Sequence, residues 1–248
     1  NDPFPYDKLS LGESFVGREE ELSKLKNICE YSNNLLIYSK RRMGKSSLIK
    51  HFFEVYREVF HTIYVDIFDI TSKEDFAKAL LKALSNSQKT DIKSAIKSLT
   101  SFFKRVRLEP SIDTNTLEYS IKPIVATLNF EEMMEDFFNG LANLSKNKKV
   151  VFAIDEFQQI ANISEIKLDA YLRKEIQERG EVSYIFLGSK RHLLTSLFEY
   201  KAPLYEMATH FELPPLEPNK IAEYAKKHIE IDTRLIEYIC EIANFETK

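Results

Sequence analysis

Asn34-Leu35-Leu36-Ile37-Tyr38-Ser39-Lys40-Arg41-Arg42-Met43-Gly44-Lys45-Ser46-Ser47-Leu48-Ile49 carries the central reading of this chain. The apolar run before Ser39 reads as a strand buried on both faces. After Gly44, the residues Leu48, Ile49, Phe52, Phe53 and Tyr56 fall on one face of a helix. Between them lies a bend rich in cations. A strand entering a helix through such a bend turns successive backbone N–H groups toward one point, and the helix N-terminus adds partial positive charge. The ligand of such a point is a polyphosphate. Gly44 lets the backbone bend closely, Lys45 reaches the β- and γ-phosphates, and the Ser46 hydroxyl is a hard ligand for Mg²⁺. Arg41, Arg42, Met43 and Ser47 complete the cradle. A chance Gly-Lys-Ser on a basic turn would lack the flanking strand and helix. Ser39 stands where the motif usually has its first glycine, and serine takes glycine's backbone angles only at a cost. The expected consequence is weaker binding at most.

The partner of this bend lies downstream. Val150-Val151-Phe152-Ala153-Ile154-Asp155-Glu156 is an apolar strand ending in two carboxylates. At the carboxyl end of a strand in an open α/β sheet, Asp155 would meet the Mg²⁺ shell beside Ser46, and Glu156 would orient or deprotonate an attacking water. The competing reading is a strand that merely ends in solvated acids.

Further short apolar runs, Thr62–Phe68, Tyr184–Leu187 and His210–Leu213, read as buried strands alternating with amphipathic helices. Such alternation implies right-handed crossovers and a parallel sheet covered on both faces. Ser72 with Asp75 has the spacing of a capping box, and Asn129 is placed to cap a second helix. Residues 102–124 break the rhythm. Phe103–Leu108 and Leu117–Lys122, separated by the turn-rich Glu109–Thr116, read as an inserted β-hairpin. Pro218 opens a helix, and another follows around Leu235–Ala243. The expected division is a core over 1–213 and the start of a helical lid over 214–248, cut before a further domain. The first residue is Asn1, so the start is expected to be trimmed.

The net charge of −3 over 248 residues gives no global attraction to nucleic acid. The basic stretches Lys104–Arg107 and Lys146–Lys149 read as solvated faces, and Phe102 and Phe103 as packing residues. Two cysteines, Cys29 and Cys240, form no metal or disulfide pattern, which fits a reduced, cytoplasmic protein. No run is long enough to span a membrane.

Phe15-Val16-Gly17-Arg18-Glu19-Glu20-Glu21-Leu22, the loop with its Arg-Arg pair and Asp155-Glu156-Phe157-Gln158 together resemble the archaeal-type ATPases of the STAND branch of AAA+ proteins, which are similar to origin-recognition-type initiator ATPases. Phe186-Leu187-Gly188-Ser189 looks like that family's sensor-1 strand, and Pro203-Leu204-Tyr205 narrows the likeness. The resemblance implies a three-layer P-loop NTPase sheet ordered 5-1-4-3-2, a helical lid and a winged-helix or effector domain beyond Lys248. It implies ATP or ADP with Mg²⁺ as ligands. It also implies that Val16, Gly17 and Arg18 pack near the adenine and that Ser189 senses the γ-phosphate. Read from the residues alone, Gly17-Arg18 is equally a turn at a helix start, and Ser189 a plain strand-end residue. Departures are Ser39, Glu206 where glycine is common, and the lack of an assignable sensor-2 arginine.

The expected activity is Mg²⁺-dependent ATP hydrolysis that switches conformation. It is slow in isolation because the arginine candidates (Arg41, Arg42, Arg173, Arg191) read first as structural, leaving a protein partner or self-association to supply one. Two other readings stand beside it: a module stabilised by nucleotide without turnover, and a DNA-associated initiator-type ATPase, which the charge does not support.

Overall fold

A computed structural model describes residues 9–87, 107–112, 119–124, 128–189 and 191–246. Five parallel strands form the main sheet: β1 (Leu35–Tyr38), β2 (His61–Asp66), β5 (Val150–Asp155), β6 (Val182–Gly188) and β7 (Thr209–Glu212). Their order is β2-β5-β6-β1-β7. Counting only these strands along the chain gives the expected 5-1-4-3-2 arrangement. The switch in direction falls between β1 and β6, where Tyr38 pairs in register with Gly188. The loop after β1 and the end of β6 therefore open into one crevice.

The sheet is buried on both sides, as its continuous apolar runs require. On one face, Leu36, Phe152, Ile154, Tyr184 and Phe186 pack with α3 (Lys73–Asn86), α4 (Phe130–Ser145) and α5 (Leu168–Glu178). On the other, Leu35, Ile37, Val151, Ala153 and Ile185 pack with α1 (Glu19–Glu30) and α2 (Lys45–Val55). The alternation of these neighbours along each strand is the period-2 rule at work. Each fully buried Phe or Leu contributes about 1.5–3 kcal/mol.

A short helix α6 (Arg191–Ser196) follows β6. In the segment expected to begin a lid, α7 (Pro218–Ala225) is started by Pro218 at its first turn and α8 (Thr233–Ile242) is capped by Asp232. A small cluster of Ala222, Ala225, Ile236 and Cys240 joins these two helices. No helix among the described residues is long and apolar enough to cross a membrane.

The insertion is an antiparallel pair, β3 (Arg107–Ile112) with β4 (Tyr119–Ile124). The expected strands were Phe103–Leu108 and Leu117–Lys122, so the pairing sits further along the chain and Glu109–Ile112 is strand, not turn. Pro110 is tolerated there because both strands of a two-stranded ribbon are edges. Phe102, Phe103, Lys104–Val106 and Asp113 lie outside the described residues. The box at Ser72 is half formed: its hydroxyl accepts from the Asp75 N–H at 3.1 Å, while Asp75 accepts from the Thr71 hydroxyl. Aspartate is one methylene shorter than the Glu or Gln that closes such a box.

Candidate nucleotide-binding site

Gly44, at φ 80°, caps α2 in the left-handed region, and Arg42 beside it has φ 60°. The glycine takes this angle freely, whereas a non-glycine residue there is strained by about 1–2 kcal/mol. Ser39 is not among the residues of positive φ. The missing first glycine therefore brings no backbone strain. The Ser39 hydroxyl instead accepts from Lys45 Nζ at 3.0 Å, and the Ser39 and Lys40 carbonyls accept from the same ammonium at 3.3 and 3.0 Å. Lys45 is 7% exposed and is poised inside the bend on neutral acceptors. Burial lowers its pKa from the ordinary lysine value, the Asp155 and Glu156 carboxylates oppose that, and Arg41 adds to it. A ligand of negative charge would relieve the remaining cost.

Facing the bend, Asp155 is 4% exposed at the end of β5. Its Oδ2 accepts from the Ser46 hydroxyl at 2.6 Å and the Tyr64 phenol at 2.5 Å, and its Oδ1 from the Glu156 N–H at 2.9 Å. Burial, then the charge of Asp155, pushes the Tyr64 phenol far above its usual value, so it remains a donor. Ser46 donates its proton to Asp155 and lines the cavity, which leaves its oxygen available as an acceptor there. This donor set fits Mg²⁺, which favours hard oxygens and keeps several waters and phosphate oxygens in its shell. Ser46 would bind it directly, and Asp155, with both oxygens engaged, would act mainly through Ser46 and a metal-bound water.

Glu156 follows at φ 55° and ψ 38°. Its carboxylate accepts from the Ser189 hydroxyl at 3.1 and 3.3 Å and from the Gln158 amide. Arg41, Arg42, Met43, Gly44, Lys45, Ser46, Ser47, Asp155, Glu156 and Ser189 thus share one open cavity of about 400 Å³.

Val16 and Gly17 are elsewhere. With Phe15, Lys220, Tyr224 and His228 they line a second cavity of about 410 Å³ between the N-terminal segment and the lid. The close approach at Gly17 is made by the lid: an added Cβ would lie 3.0 Å from Leu216 Cδ1. Arg18 connects the two regions. It is 8% exposed, pairs with Glu21 at 2.8 Å and donates to the Met43 carbonyl at 3.5 Å. Among the arginine candidates, Arg191 pairs with Glu212 at 3.0 Å and lies over the Tyr38 ring, and Arg173 donates to the Pro203 carbonyl.

Sequence reasoning missed Tyr64, Asp66, Phe68 and Gln158. Asp66 pairs in register with Asp155, and Phe68 lines the cavity wall with Leu9 and Ser10. Burial raises the Asp66 pKa, the Asp155 and Glu156 charges add to this, and the Phe68 N–H, donated at 2.9 Å, opposes it. The signal was the strand order: once β2 lies beside β5, the end of β2 must meet Asp155. Gln158 stood inside the quoted Asp155-Glu156-Phe157-Gln158 run but carried no role there.

Residues 15–238 match the family described as an ATPase domain predominantly from Archaea. No curated protein sequence matches the chain. Among solved structures, it is similar to the Walker-type ATPase of Pyrococcus abyssi, with a TM-score of 0.66 and 22% identity, covering 96% of this chain and 66% of that one. It is also similar to the Aeropyrum pernix ORC1 protein in complex with DNA (TM-score 0.54, 13% identity, 91% of this chain and 52% of that). The Aeropyrum pernix ORC2 protein in its ADPNP-ADP complexes gives 0.58 at 14% identity, covering 94% and 58%. The chain spans less than two thirds of the length of the two Aeropyrum proteins and 66% of the Pyrococcus one.

Proposed function

This chain belongs to the family of ATPase domains found predominantly in Archaea, and from that premise we propose that it binds ATP with Mg²⁺, hydrolyses it slowly and uses the cycle to move its lid. The single observation supporting the site is the hydrogen bond of 2.6 Å from Ser46 to Asp155, which joins the phosphate bend to the acidic strand across 109 residues. The N–H groups of the bend and the Lys45 ammonium bind the β- and γ-phosphates. Mg²⁺ on Ser46 would neutralise charge on the β- and γ-oxygens. Glu156 orients a water and takes its proton. The water oxygen bonds to the γ-phosphorus as the bond to the β–γ bridging oxygen breaks, and that electron pair leaves with ADP.

Ser189, donating to Glu156 and lining the same cavity, is the residue through which the γ-phosphate would be sensed. The lid is the moving part in this reading, because α7 rests on the N-terminal segment and the Arg42 of the bend pairs with Glu246 beyond α8 at 3.3 Å. Slow turnover is expected because Arg42, Arg173 and Arg191 have protein partners and Arg41 belongs to the bend that holds the phosphates, which leaves a partner to bring the arginine that supplies about 10³–10⁵ in rate. The further domain expected after Lys248, and any DNA or protein partner, belong to the same reading.

The test uses two variants. Lys45→Ala is expected to lose ATP binding, and Glu156→Gln to bind ATP with near-normal affinity while hydrolysis falls by about 10²–10⁴. Normal turnover by Glu156→Gln, measured as phosphate release, would remove the mechanism. Retained ATP with no phosphate release by the unaltered chain would leave a nucleotide-stabilised module.

A further inference from the structure

Gln158 is 2% exposed, and its side chain reaches back from the two-turn 3-10 segment Phe157–Asn162 to donate its amide to Glu156. Its other end is unusual. Gln158 Oε1 is buried and makes no hydrogen bond. It sits against Gly188, where an added Cβ would lie 2.2 Å from Oε1 and 3.0 Å from Leu194 Cδ2. A side chain of any kind at 188 would displace the amide. Gly188 is not at positive φ, so its backbone makes no demand for glycine, and clearance is the remaining reason.

A buried amide with an unsatisfied oxygen is destabilising, and Leu or Met would fill a similar volume without that cost. Gln158 is therefore a poor packing residue, and its use at this position points to the donor end. The reversed amide would set its oxygen lone pairs against the Glu156 carboxylate, so the orientation follows from charge. The carboxylate is then gripped from two sides, by the Ser189 hydroxyl and by an amide that can donate a proton's hydrogen bond but cannot accept the proton itself. The leftover Oε1 occupies the space that a Cβ at 188 would need.

We propose that Gln158 is a positioning residue for Glu156, aiming its carboxylate at the attacking water, and that Gly188 exists to leave room for it. The inference rests on the reading of Glu156 as the group that handles the water.

The test uses the full chain and ATP with Mg²⁺. Gln158→Met keeps the volume and removes the donor. It is expected to retain ATP affinity within about twofold and to lower kcat by about ten- to a hundredfold at unchanged KM, the loss that a misaimed catalytic group produces. Gly188→Ala is expected to show the same split, because it pushes the amide away while Gln158 remains. In the nucleotide-free chain, the side-chain NH₂ resonance of Gln158 is expected downfield and to shift on Glu156→Gln, a readout that needs no turnover and no stable Gln158 variant. Wild-type kcat in Gln158→Met or Gly188→Ala, or an amide resonance indifferent to Glu156→Gln, overturns the proposal. If Glu156→Gln is inactive while Gln158→Met is normal, only this inference fails. If Glu156→Gln is fully active, the parent mechanism fails.

Discussion

Asp155 accepts three hydrogen bonds, from Ser46, Tyr64 and the Glu156 N–H, and each has a different consequence. The first aims a metal ligand, the last fixes the backbone turn that presents Glu156. Tyr64 reaches the bend at Ser46, with which it shares Asp155 Oδ2. Removing its hydroxyl leaves that oxygen with one donor in a buried setting, and the Ser46 orientation loosens. Tyr64→Phe is therefore expected to raise the Mg²⁺ concentration needed for half-maximal hydrolysis by about tenfold, the lower range for losing a residue that orients a metal ligand. A Mg²⁺ titration of ATP turnover measures it, and an unchanged midpoint would show that Tyr64 only fills space. That Asp155 and Ser46 belong together was legible from the two motifs. Tyr64 was not, because the strand order implied by the resemblance sets β2 beside β5 without saying which of its side chains reaches Asp155.

At the scale of elements, local signals were most readable where a cap marks a helix start. Asn129 accepts from the Glu132 N–H at 2.9 Å, while Glu132 accepts from the Asn129 N–H at 3.1 Å, a closed reciprocal pair. Behind this cap, α4 buries Phe130, Met133, Met134, Phe137, Phe138 and Leu141. Asn129→Ala is expected to cost about 1 kcal/mol, read as a lower denaturation midpoint with an unchanged slope. No change in midpoint would mean that packing alone holds the first turn. The ribbon β3–β4 shows the opposite case. Its existence followed from two stretches separated by turn formers, but its register did not, because Pro110 and Ser111 look like turn residues and pair as strand.

For the whole molecule, the question is how the lid is seated on the core. Gly17, at φ 65°, lies against Leu216 and Lys220, and the Arg42–Glu246 pair ties the bend to the far end of the lid. That pair is exposed, so it contributes at most about 1 kcal/mol. The Gly17 seat is the firmer contact because a side chain there meets both a strained angle and Leu216. Gly17→Val is expected to loosen the lid by about 1–2 kcal/mol, seen as roughly tenfold faster amide exchange in α7 with α4 unaffected. Equal protection of α7 in both proteins would show that the lid does not rest on this glycine.

From the amino-acid sequence alone came the alternating strands and helices, the polyphosphate bend at Ser39–Ser47 and the acidic strand end at Asp155-Glu156. Each of these is written within a few consecutive residues, as an apolar period, a bend or a charge. The strand order came with the family resemblance. Only the folded chain placed Tyr64 on Asp155, threaded Gln158 past Gly188 to Glu156, and set Gly17 against the lid. Those contacts join elements distant in sequence or depend on where a side chain has space, and space is a property of the packed molecule.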